Sequence, residues 1–255
     1  MPVSHPLIEQ WRTEIVEYSH RLHANEWVAN HDGNLSARLS DTHLLCTPTA
    51  ISKGDLEAAW LIVVDGENKV VEGSRRSFSE IQLHRAAYDA RPDISVVMHA
   101  HPPTSCAFAV AGVPIPHPMM AEPVVSLGRE IPMVPYHRPG DPKLSEAIGE
   151  ALQRADVILL ERHGLLAVGG GFEQAYLRME LVEHLAKIGF KARQLGHARI
   201  LPESEIDALS KKGRPASFPV RETEVQPNSS KNTSVASSPP PQVSTLVSDA
   251  LKRFS

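Results

Sequence analysis

The 255-residue chain has few cysteines, no surplus of positive charge and no long apolar segment. Its 2 cysteines, Cys46 and Cys106, cannot build a disulfide framework, and their apolar surroundings predict that both are buried and inert. Lysine and arginine total 26 against 30 acidic residues, a net charge of −4, which disfavours nucleic acid as a partner. Apolar runs such as residues 157–160 fall far short of the roughly 20 residues that cross a bilayer. With no secretory signal visible, we expect a reduced, cytoplasmic protein without a membrane partner.

Composition divides the chain into three predicted segments. Residues 1–215 mix apolar periodicity with charge, as a folded domain does. Residues 216–242 are rich in proline and serine and offer little to bury, which predicts a disordered linker. Residues 243–255 place apolar side chains at i, i+3, i+4, i+7, i+8 and i+11, the pattern of a short amphipathic helix. Such a helix is marginal alone in water and should order against an apolar groove.

Within residues 1–215, helical and strand-like periodicities alternate, which predicts an α/β fold. Hairpin-like spacing between several strands, with a turn at residues 65–68, argues against a purely parallel sheet. The predicted helices cover residues 6–23, 79–90, 103–110, 142–154 and 172–195. The predicted strands cover residues 43–47, 60–65, 69–72, 94–98, 157–160 and 165–168.

Histidine is abundant, with 13 copies, and two of these histidines follow a predicted strand directly. In His99-Ala100-His101, alternate side chains share one face of an extended chain and lie about 6.5 Å apart. Two imidazoles at that spacing can converge on one ion, with Zn–N bonds of about 2.0–2.1 Å. An isolated pair of this kind more often bonds backbone or water, so further ligands are needed to favour a metal.

Further ligands are available at two other predicted element ends. His163 lies between a predicted strand and Gly164, and Glu80 opens the helix that precedes the His99 strand. Three imidazoles with an open fourth position are typical of catalytic zinc. Glu80 would then be a fourth ligand or an acid–base group, although it also fits a simple capping box with Ser77.

Two loops and the remaining helical histidines carry weaker signals. Residues 33–36 and 47–49 offer hydroxyl, amide and backbone groups that could bind an anion or a sugar hydroxyl, or serve only as turns. Histidines that fall within helical patterns are expected at the surface. These are His5, His20, His23, His84, His184 and His197.

Five short motifs follow one another in a specific order. They are Gly33-Asn-Leu-Ser-x-Arg38, Thr47-Pro-Thr49, Ser79-Glu80, Val97-x-His99-x-His101 and Arg162-His163-Gly164-Leu165. This ordered set resembles the class II aldolase/adducin family over residues 6–195. The resemblance implies a three-layer α/β/α sandwich around a mostly antiparallel central sheet. It also implies a homotetramer with sites near the subunit boundaries.

The resemblance further implies a metal-dependent aldolase acting on a small phosphorylated sugar. His99, His101 and His163 would bind one Zn²⁺ per subunit, and Glu80 would be the catalytic carboxylate. The implied reaction cleaves a ketose 1-phosphate of the L-fuculose 1-phosphate type to dihydroxyacetone phosphate and L-lactaldehyde, through a metal-stabilised enediolate. The residues that would bind the phosphate are Asn34, Thr49 and Ser79.

Several alternatives share this resemblance. Pentulose-phosphate 4-epimerases and oxo-sugar-acid decarboxylases would use the same three histidines, whereas an adducin-like association domain would need no metal. Ala50, Phe78 and His31 depart from the aldolase pattern, so the implied phosphate pocket is altered. The family's proton-donating tyrosine falls at Pro118, and the nearby Tyr136 is not assigned that role.

The linker and terminal helix resemble the encapsulation peptides that carry enzymes into bacterial microcompartments. The resemblance implies that residues 243–255 bind a shell protein and that the enzyme resides in the compartment lumen. Docking of the helix on its own tetramer and weak membrane-surface binding are the alternatives. A single cationic pair, Lys252-Arg253, makes the membrane alternative poor.

Overall fold

Short strands hydrogen-bond into one central sheet in the computed structural model, which describes residues 5–138 and 140–213. Over those residues the sheet has 8 strands in the order β4-β3-β2-β1-β5-β8-β7-β6. All neighbouring strands are antiparallel except β6 and β7, which run parallel. The strands are β1 (Asn34–Arg38), β2 (Leu44–Cys46), β3 (Ile62–Val64), β4 (Val70–Glu72), β5 (Val96–Ala100), β6 (Met133–Val134), β7 (Val157–Leu160) and β8 (Leu165–Gly169).

Helices connect most of these strands and cover both faces of the sheet. They are α1 (Ile8–Ala24), α2 (Ile81–Ala90), α3 (Pro103–Ala111), α4 (Ala121–Leu127), α5 (Pro142–Leu152), α6 (Phe172–Gln194) and α7 (Glu203–Ser210), with a 3-10 turn at Ala58–Trp60. None of the helices within the described ranges is long and apolar enough to cross a membrane.

The alternation of side chains along the strands creates two apolar cores, one on each face of the sheet. Strand β5 contributes Val96 and Met98 to one core and Val97 to the other. The first core also contains buried side chains of α1, α3 and α6, and the second contains those of α2 and α5. Burial of both faces explains why the central strands are almost continuously apolar. The predicted three-layer α/β/α fold is therefore confirmed.

The predicted helices and strands are all present, with ends within two residues of the observed ones. The predicted turn at residues 65–68 is also confirmed, because the Asn68 amide donates to the Asp65 carbonyl oxygen at 2.9 Å. Strand β6 and helices α4 and α7 were not predicted. They are short, and only part of each is buried, so their apolar periodicity is weak.

The loop predicted at residues 33–36 is wrong, because β1 begins at Asn34. The turn signal itself resides in Gly33, whose φ of +70° lies in the left-handed region. A Cβ at this position would lie 2.5 Å from Val28 Cγ1 and 3.0 Å from the His99 carbonyl oxygen. Glycine therefore lets the chain turn closely against β5 before it enters the sheet.

The predicted boundary of the folded domain at residue 215, the linker at 216–242 and the helix at 243–255 lie outside the described residues. They remain predictions from the sequence.

Candidate active site

Strand β5 presents the first two histidines. Its register with β1 pairs His99 with Asn34, so both residues lie at the same level of adjacent central strands. His99 is fully buried, and the His101 backbone amide is held by the Trp27 carbonyl oxygen at 2.8 Å. Since side chains alternate along extended backbone, His99 and His101 share one side of the sheet, as the sequence predicts.

The third histidine lies in the tight connection between β7 and β8. The Leu160 amide donates to the Gly164 carbonyl oxygen at 2.8 Å, and the His163 amide donates to the Leu160 carbonyl oxygen at 3.0 Å. Arg162 adopts the left-handed conformation, with φ of 57°, which completes the turn. Because β8 pairs with β5, this turn brings His163 next to the other two histidines.

The three imidazoles form one cluster, with ring centroids 4.6–5.2 Å apart. One nitrogen from each of His99, His101 and His163 lies within 4.8 Å of the other two. The outer nitrogens of two rings are occupied: His99 Nδ1 donates to the Leu165 carbonyl oxygen at 3.0 Å, and His101 Nδ1 donates to Asp32 Oδ2 at 3.2 Å. Such outer partners fix the tautomer of metal-binding histidines.

This arrangement passes a chemical test for a metal site. In neutral His99 and His101, the Nδ1 hydrogens leave a lone pair on each Nε2, and these two nitrogens are 3.1 Å apart. Two lone pairs at that distance repel each other unless a proton or a cation lies between them. Zn–N bonds of about 2.0–2.1 Å in a tetrahedral site require a nitrogen–nitrogen separation of roughly 3.3 Å. The donor set therefore fits a divalent ion such as zinc.

Glu80 faces the histidine cluster instead of capping its helix. Its Oε1 lies 2.7 Å from His163 Nε2, and its Oε2 lies 3.6 Å from His99 Nε2. The capping box proposed for Ser77 and Glu80 is therefore wrong: α2 has no side-chain cap, and Ser77 Oγ bonds the Phe78 carbonyl oxygen. The tertiary partners of the carboxylate outweigh its local capping preference.

Burial and hydrogen bonding set the charges of this cluster. Burial favours the neutral acid of Glu80, but hydrogen bonds from His163 and Asn34 and the nearby imidazoles outweigh it and hold its pKa below the usual range. Burial lowers the pKa of His99 to about 3, although the Glu80 charge opposes this effect. The carboxylate is therefore ionised and the His99 ring neutral at pH 7, and neutral imidazole is the form that binds metal ions.

The three predicted phosphate-binding residues have different settings. Asn34 is buried and donates from Nδ2 to Glu80 Oε2 at 2.7 Å. Ser79 immediately precedes Glu80 and is exposed, and Thr49 is half-buried. The Thr49 amide donates to the Arg76 carbonyl oxygen at 3.0 Å, which brings the 47–49 loop beside the segment that leads to Ser79.

Two of the departures from the family pattern have a structural outcome. Phe78 is buried among the apolar side chains of the second core and packs edge-on against His84, with ring centroids 5.0 Å apart. Its ring is therefore largely withdrawn from the site. Ala50 takes up the left-handed conformation, with φ of 60°, which is strained for any residue other than glycine.

Sequence reasoning missed or misjudged four residues near the cluster. His84 was expected at the surface but is fully buried. Helical periodicity could not predict this, because it does not show which polar side chains find hydrogen-bond partners in the interior. Asp32 accepts a hydrogen bond from His101 Nδ1. The one sequence feature that could have indicated this role is its position next to the Gly33 turn. Cys106, expected to be buried, is only partly so, and burial raises the pKa of its thiol to about 12.

Lys53 is the fourth of these residues and is a buried cation. Its Nζ donates to the Ile51 carbonyl oxygen at 3.1 Å and to the His31 carbonyl oxygen at 3.4 Å. Burial lowers the pKa of Lys53 to about 8, against the opposing charges of Asp32 and Glu80. The ammonium therefore ties the loop that carries Asp32 to the loop that carries Thr49.

The chain matches the model of the class II aldolase and adducin N-terminal domain over residues 13–190. It is 37% identical over 170 residues to an L-fuculose phosphate aldolase from Escherichia coli O6:H1, covering 66% of this chain and 75% of the relative. It is 26% identical over 207 residues to a 5-deoxy-D-ribulose 1-phosphate aldolase from Bacillus thuringiensis, covering 81% and 96%. It is also 31% identical over 186 residues to a 3-oxo-tetronate 4-phosphate decarboxylase from Haemophilus influenzae, covering 71% and 87%.

A solved structure of an L-fuculose 1-phosphate aldolase superposes with a TM-score of 0.72 and 26% identity. The match covers 80% of this chain and 95% of that one. Fold, motif order and family match agree, so this chain belongs to the class II aldolase family, whose members include aldolases and a decarboxylase. Membership of this family identifies it as a metal-dependent lyase.

Gly164→Ala should weaken zinc binding, because a Cβ there would lie 2.4 Å from His101 Cδ2 and 2.7 Å from the Ala100 carbonyl oxygen. Isothermal titration with zinc should give a dissociation constant raised on the order of 10–100-fold, the size of effect seen when support of a ligand is lost. Gly171→Ala is the matched control, since nothing lies within 4 Å of its Cβ position. Unchanged zinc affinity in folded Gly164→Ala protein would contradict the arrangement described here.

Proposed function

We propose that this chain is a zinc-dependent aldolase that cleaves a ketose 1-phosphate of the L-fuculose 1-phosphate type to dihydroxyacetone phosphate and L-lactaldehyde. The observation that carries the proposal is the convergence of His99, His101 and His163 beside the Glu80 carboxylate. The histidines would hold one Zn²⁺ per subunit. A three-histidine set with an adjacent carboxylate suits zinc, although imidazole also binds other divalent metals.

In this proposal the metal supplies Lewis-acid chemistry: it polarises substrate oxygens and stabilises the negative charge that develops when the C3–C4 bond breaks. The protein must then move protons. The C4 hydroxyl loses one proton as it becomes an aldehyde, and C3 gains one to complete dihydroxyacetone phosphate. Glu80 is the group we assign to this transfer: as an ionised carboxylate beside the histidine cluster it would accept the proton that the C4 hydroxyl loses, and the resulting acid would deliver that proton to C3.

Asn34, Thr49 and Ser79 are the proposed phosphate-binding residues. Asn34 uses one hydrogen of Nδ2 for Glu80 and keeps the second for a ligand. Ser79 is exposed, and the Thr49 amide is hydrogen-bonded to the Arg76 carbonyl oxygen, three residues before Ser79. Lys53, whose ammonium ties the Thr49 loop to the Asp32 loop, adds a positive charge to the surroundings of this pocket.

The substrate assignment is tested by incubating zinc-loaded enzyme with L-fuculose 1-phosphate, 5-deoxyribulose 1-phosphate and ribulose 5-phosphate. Release of L-lactaldehyde and dihydroxyacetone phosphate in equal amounts, measured by mass spectrometry, is expected. Preferential turnover of the five-carbon 1-phosphate would leave acetaldehyde instead and move the assignment to that substrate. Conversion of the pentulose phosphate without net cleavage would indicate an epimerase. No turnover of any sugar phosphate would contradict the proposal.

Glu80→Gln should separate metal binding from proton transfer. The amide keeps the size of the side chain but cannot carry the proton, so we expect kcat to fall about 10²–10⁴-fold while zinc stoichiometry stays at one. Glu146→Gln, an exposed carboxylate of α5, is the matched control. His99→Ala, by contrast, should lose both the zinc and the activity. A Glu80→Gln variant with unaltered kcat would remove this carboxylate from the mechanism.

A decarboxylase is the second candidate, favoured by the 31% identity to the oxo-tetronate phosphate decarboxylase. Loss of carbon dioxide from a 3-oxo acid leaves a carbanion that is stabilised as an enolate, as aldol cleavage does. The same cluster could therefore stabilise the negative charge in either reaction. The decarboxylase assignment would be favoured if the enzyme releases carbon dioxide from a 3-oxo-tetronate 4-phosphate faster than it releases aldehyde from any ketose phosphate.

We also propose that residues 243–255 bind a microcompartment shell protein and that the enzyme is a homotetramer, located in the cytoplasm or in the compartment lumen. The support for the shell partner is the apolar stripe of the terminal sequence. A fluorescent protein fused to residues 221–255 should form puncta in cells that express shell proteins. A fusion in which Leu246, Leu251 and Phe254 are changed to serine is the control and should stay diffuse. Diffuse signal from the unmodified fusion would refute the shell interaction.

A further inference from the structure

A continuous series of buried polar side chains lies behind Glu80. Tyr88, Ser36 and His84 are each 4% exposed or less. Ser36 Oγ lies 2.9 Å from the Tyr88 hydroxyl and 2.6 Å from His84 Nδ1. His84 Nε2 lies 2.6 Å from Asn34 Oδ1, and Asn34 Nδ2 lies 2.7 Å from Glu80 Oε2. Each group therefore contacts the next across β1 and α2.

The direction of the hydrogen bonds in this series follows from the Asn34 amide. Its NH₂ donates to Glu80 Oε2, and its carbonyl oxygen faces His84. That oxygen only accepts, so His84 must carry its hydrogen on Nε2. In a neutral ring Nδ1 then accepts from the Ser36 hydroxyl, while the Tyr88 hydroxyl donates to the Ser36 carbonyl oxygen at 2.9 Å.

The opposite tautomer of His84 is incompatible with this arrangement. A hydrogen on Nδ1 would leave a lone pair on Nε2 facing Asn34 Oδ1 at 2.6 Å. Relief by rotation of the amide would place its oxygen 2.7 Å from the Glu80 carboxylate oxygen, where two acceptors repel. Burial also lowers the pKa of His84 to about 3, so the ring stays neutral. Only one proton arrangement satisfies all the buried groups.

We propose that His84 is a positioning residue: its Nε2–H donates to the Asn34 carbonyl oxygen and so keeps the Asn34 NH₂ turned toward Glu80, which fixes the carboxylate toward the histidine cluster. This inference rests on the proposed role of Glu80 in proton transfer. It gives Asn34 a second role beside phosphate binding. It also explains a buried imidazole whose two partners are the side chains of Ser36 and Asn34 instead of backbone groups.

A purely structural role for His84 is the alternative explanation, because any buried histidine needs hydrogen-bond partners and Phe78 packs against this ring in the core. The two roles differ in what they predict. If His84 only fills space, its replacement lowers thermal stability and leaves the per-enzyme rate of folded protein unchanged. If it acts through Asn34, its loss lowers kcat, and the loss disappears when Asn34 is already absent.

The first experiment reads the tautomer directly in the metal-free protein. Long-range ¹H–¹⁵N correlation spectra of ¹⁵N-histidine-labelled protein distinguish Nε2–H from Nδ1–H rings, and His84→Gln identifies the signal. We expect a neutral Nε2–H ring in the wild type and a mixture of tautomers in Asn34→Ala, which removes the acceptor that selects Nε2–H. An Nδ1–H ring or a charged ring in the wild type would overturn the inference, whatever the enzyme's substrate.

The second experiment is a double-mutant cycle on zinc-loaded enzyme. His84→Leu should lower kcat on the order of 10–100-fold with zinc stoichiometry and KM little changed. His84→Gln, whose amide can still donate to Asn34 Oδ1, should recover most of the rate. The Asn34→Ala/His84→Leu double variant should be no slower than Asn34→Ala, because the two residues act in series.

Leu83→Ala is the control for lost stability, since Leu83 is buried on the same helix and its hydrocarbon side chain can make none of these hydrogen bonds. It should lower Tm and leave kcat of the folded protein unchanged. Additive effects of the Asn34 and His84 variants, or a loss of kcat in Leu83→Ala equal to that in His84→Leu, would refute the positioning role. Absence of any wild-type turnover would instead refute the proposed function, and the tautomer measurement would then decide the inference alone.

Discussion

The site depends on the outward hydrogen bonds of two imidazoles. His99 and His101 each give their Nδ1 hydrogen to an oxygen outside the cluster, the Leu165 carbonyl in one case and Asp32 in the other. Each ring is thereby left with a lone pair on the nitrogen that faces its neighbour. A carbonyl at the start of β8 and a carboxylate in the loop before β1 thus prepare the inner nitrogens to act as ligands.

The surroundings of the cluster balance the charge that it gathers. Glu80 is kept ionised in a half-buried position by donors on two sides, His163 and Asn34. Lys53, almost completely buried, contributes a positive charge and joins two loops that border the site. An anionic substrate approaching these residues meets fixed donors and requires little rearrangement of the protein, which is how preorganised sites stabilise developing charge.

Local pattern was enough to predict an α/β fold and to bring the three histidines together as candidate ligands, whereas the layered sandwich was implied by the family resemblance. The alternation in Val97-x-His99-x-His101 follows from extended backbone, and the structure places both imidazoles on one side as expected. The pattern failed where a tertiary partner decides the outcome. His84 has the spacing of an exposed helical residue, yet Ser36 and Asn34, about fifty positions earlier in the chain, supply the partners that allow its burial.

Other failures have the same origin. Glu80 fits a capping box with Ser77 by sequence spacing, but a carboxylate in reach of His163 gains more from that imidazole than from a backbone amide. Gly33 marks a turn correctly, and nothing in the residues after it indicates that the chain then enters the centre of the sheet. The burial of the Lys53 ammonium could not be predicted, because its acceptors are backbone carbonyl oxygens, which every residue carries and no sequence pattern distinguishes.

The antiparallel pairing of β5 with both β1 and β8 affects how strongly a bound ion stabilises the folded protein. The proposed ligands come from a strand at the middle of the sheet and from the turn between two later strands, so the unfolded chain holds them far apart. An ion that binds only the assembled sheet shifts the folding equilibrium toward the native state, in proportion to the logarithm of its free concentration. A shortage of the metal would then shorten the lifetime of the folded protein as well as lower its activity.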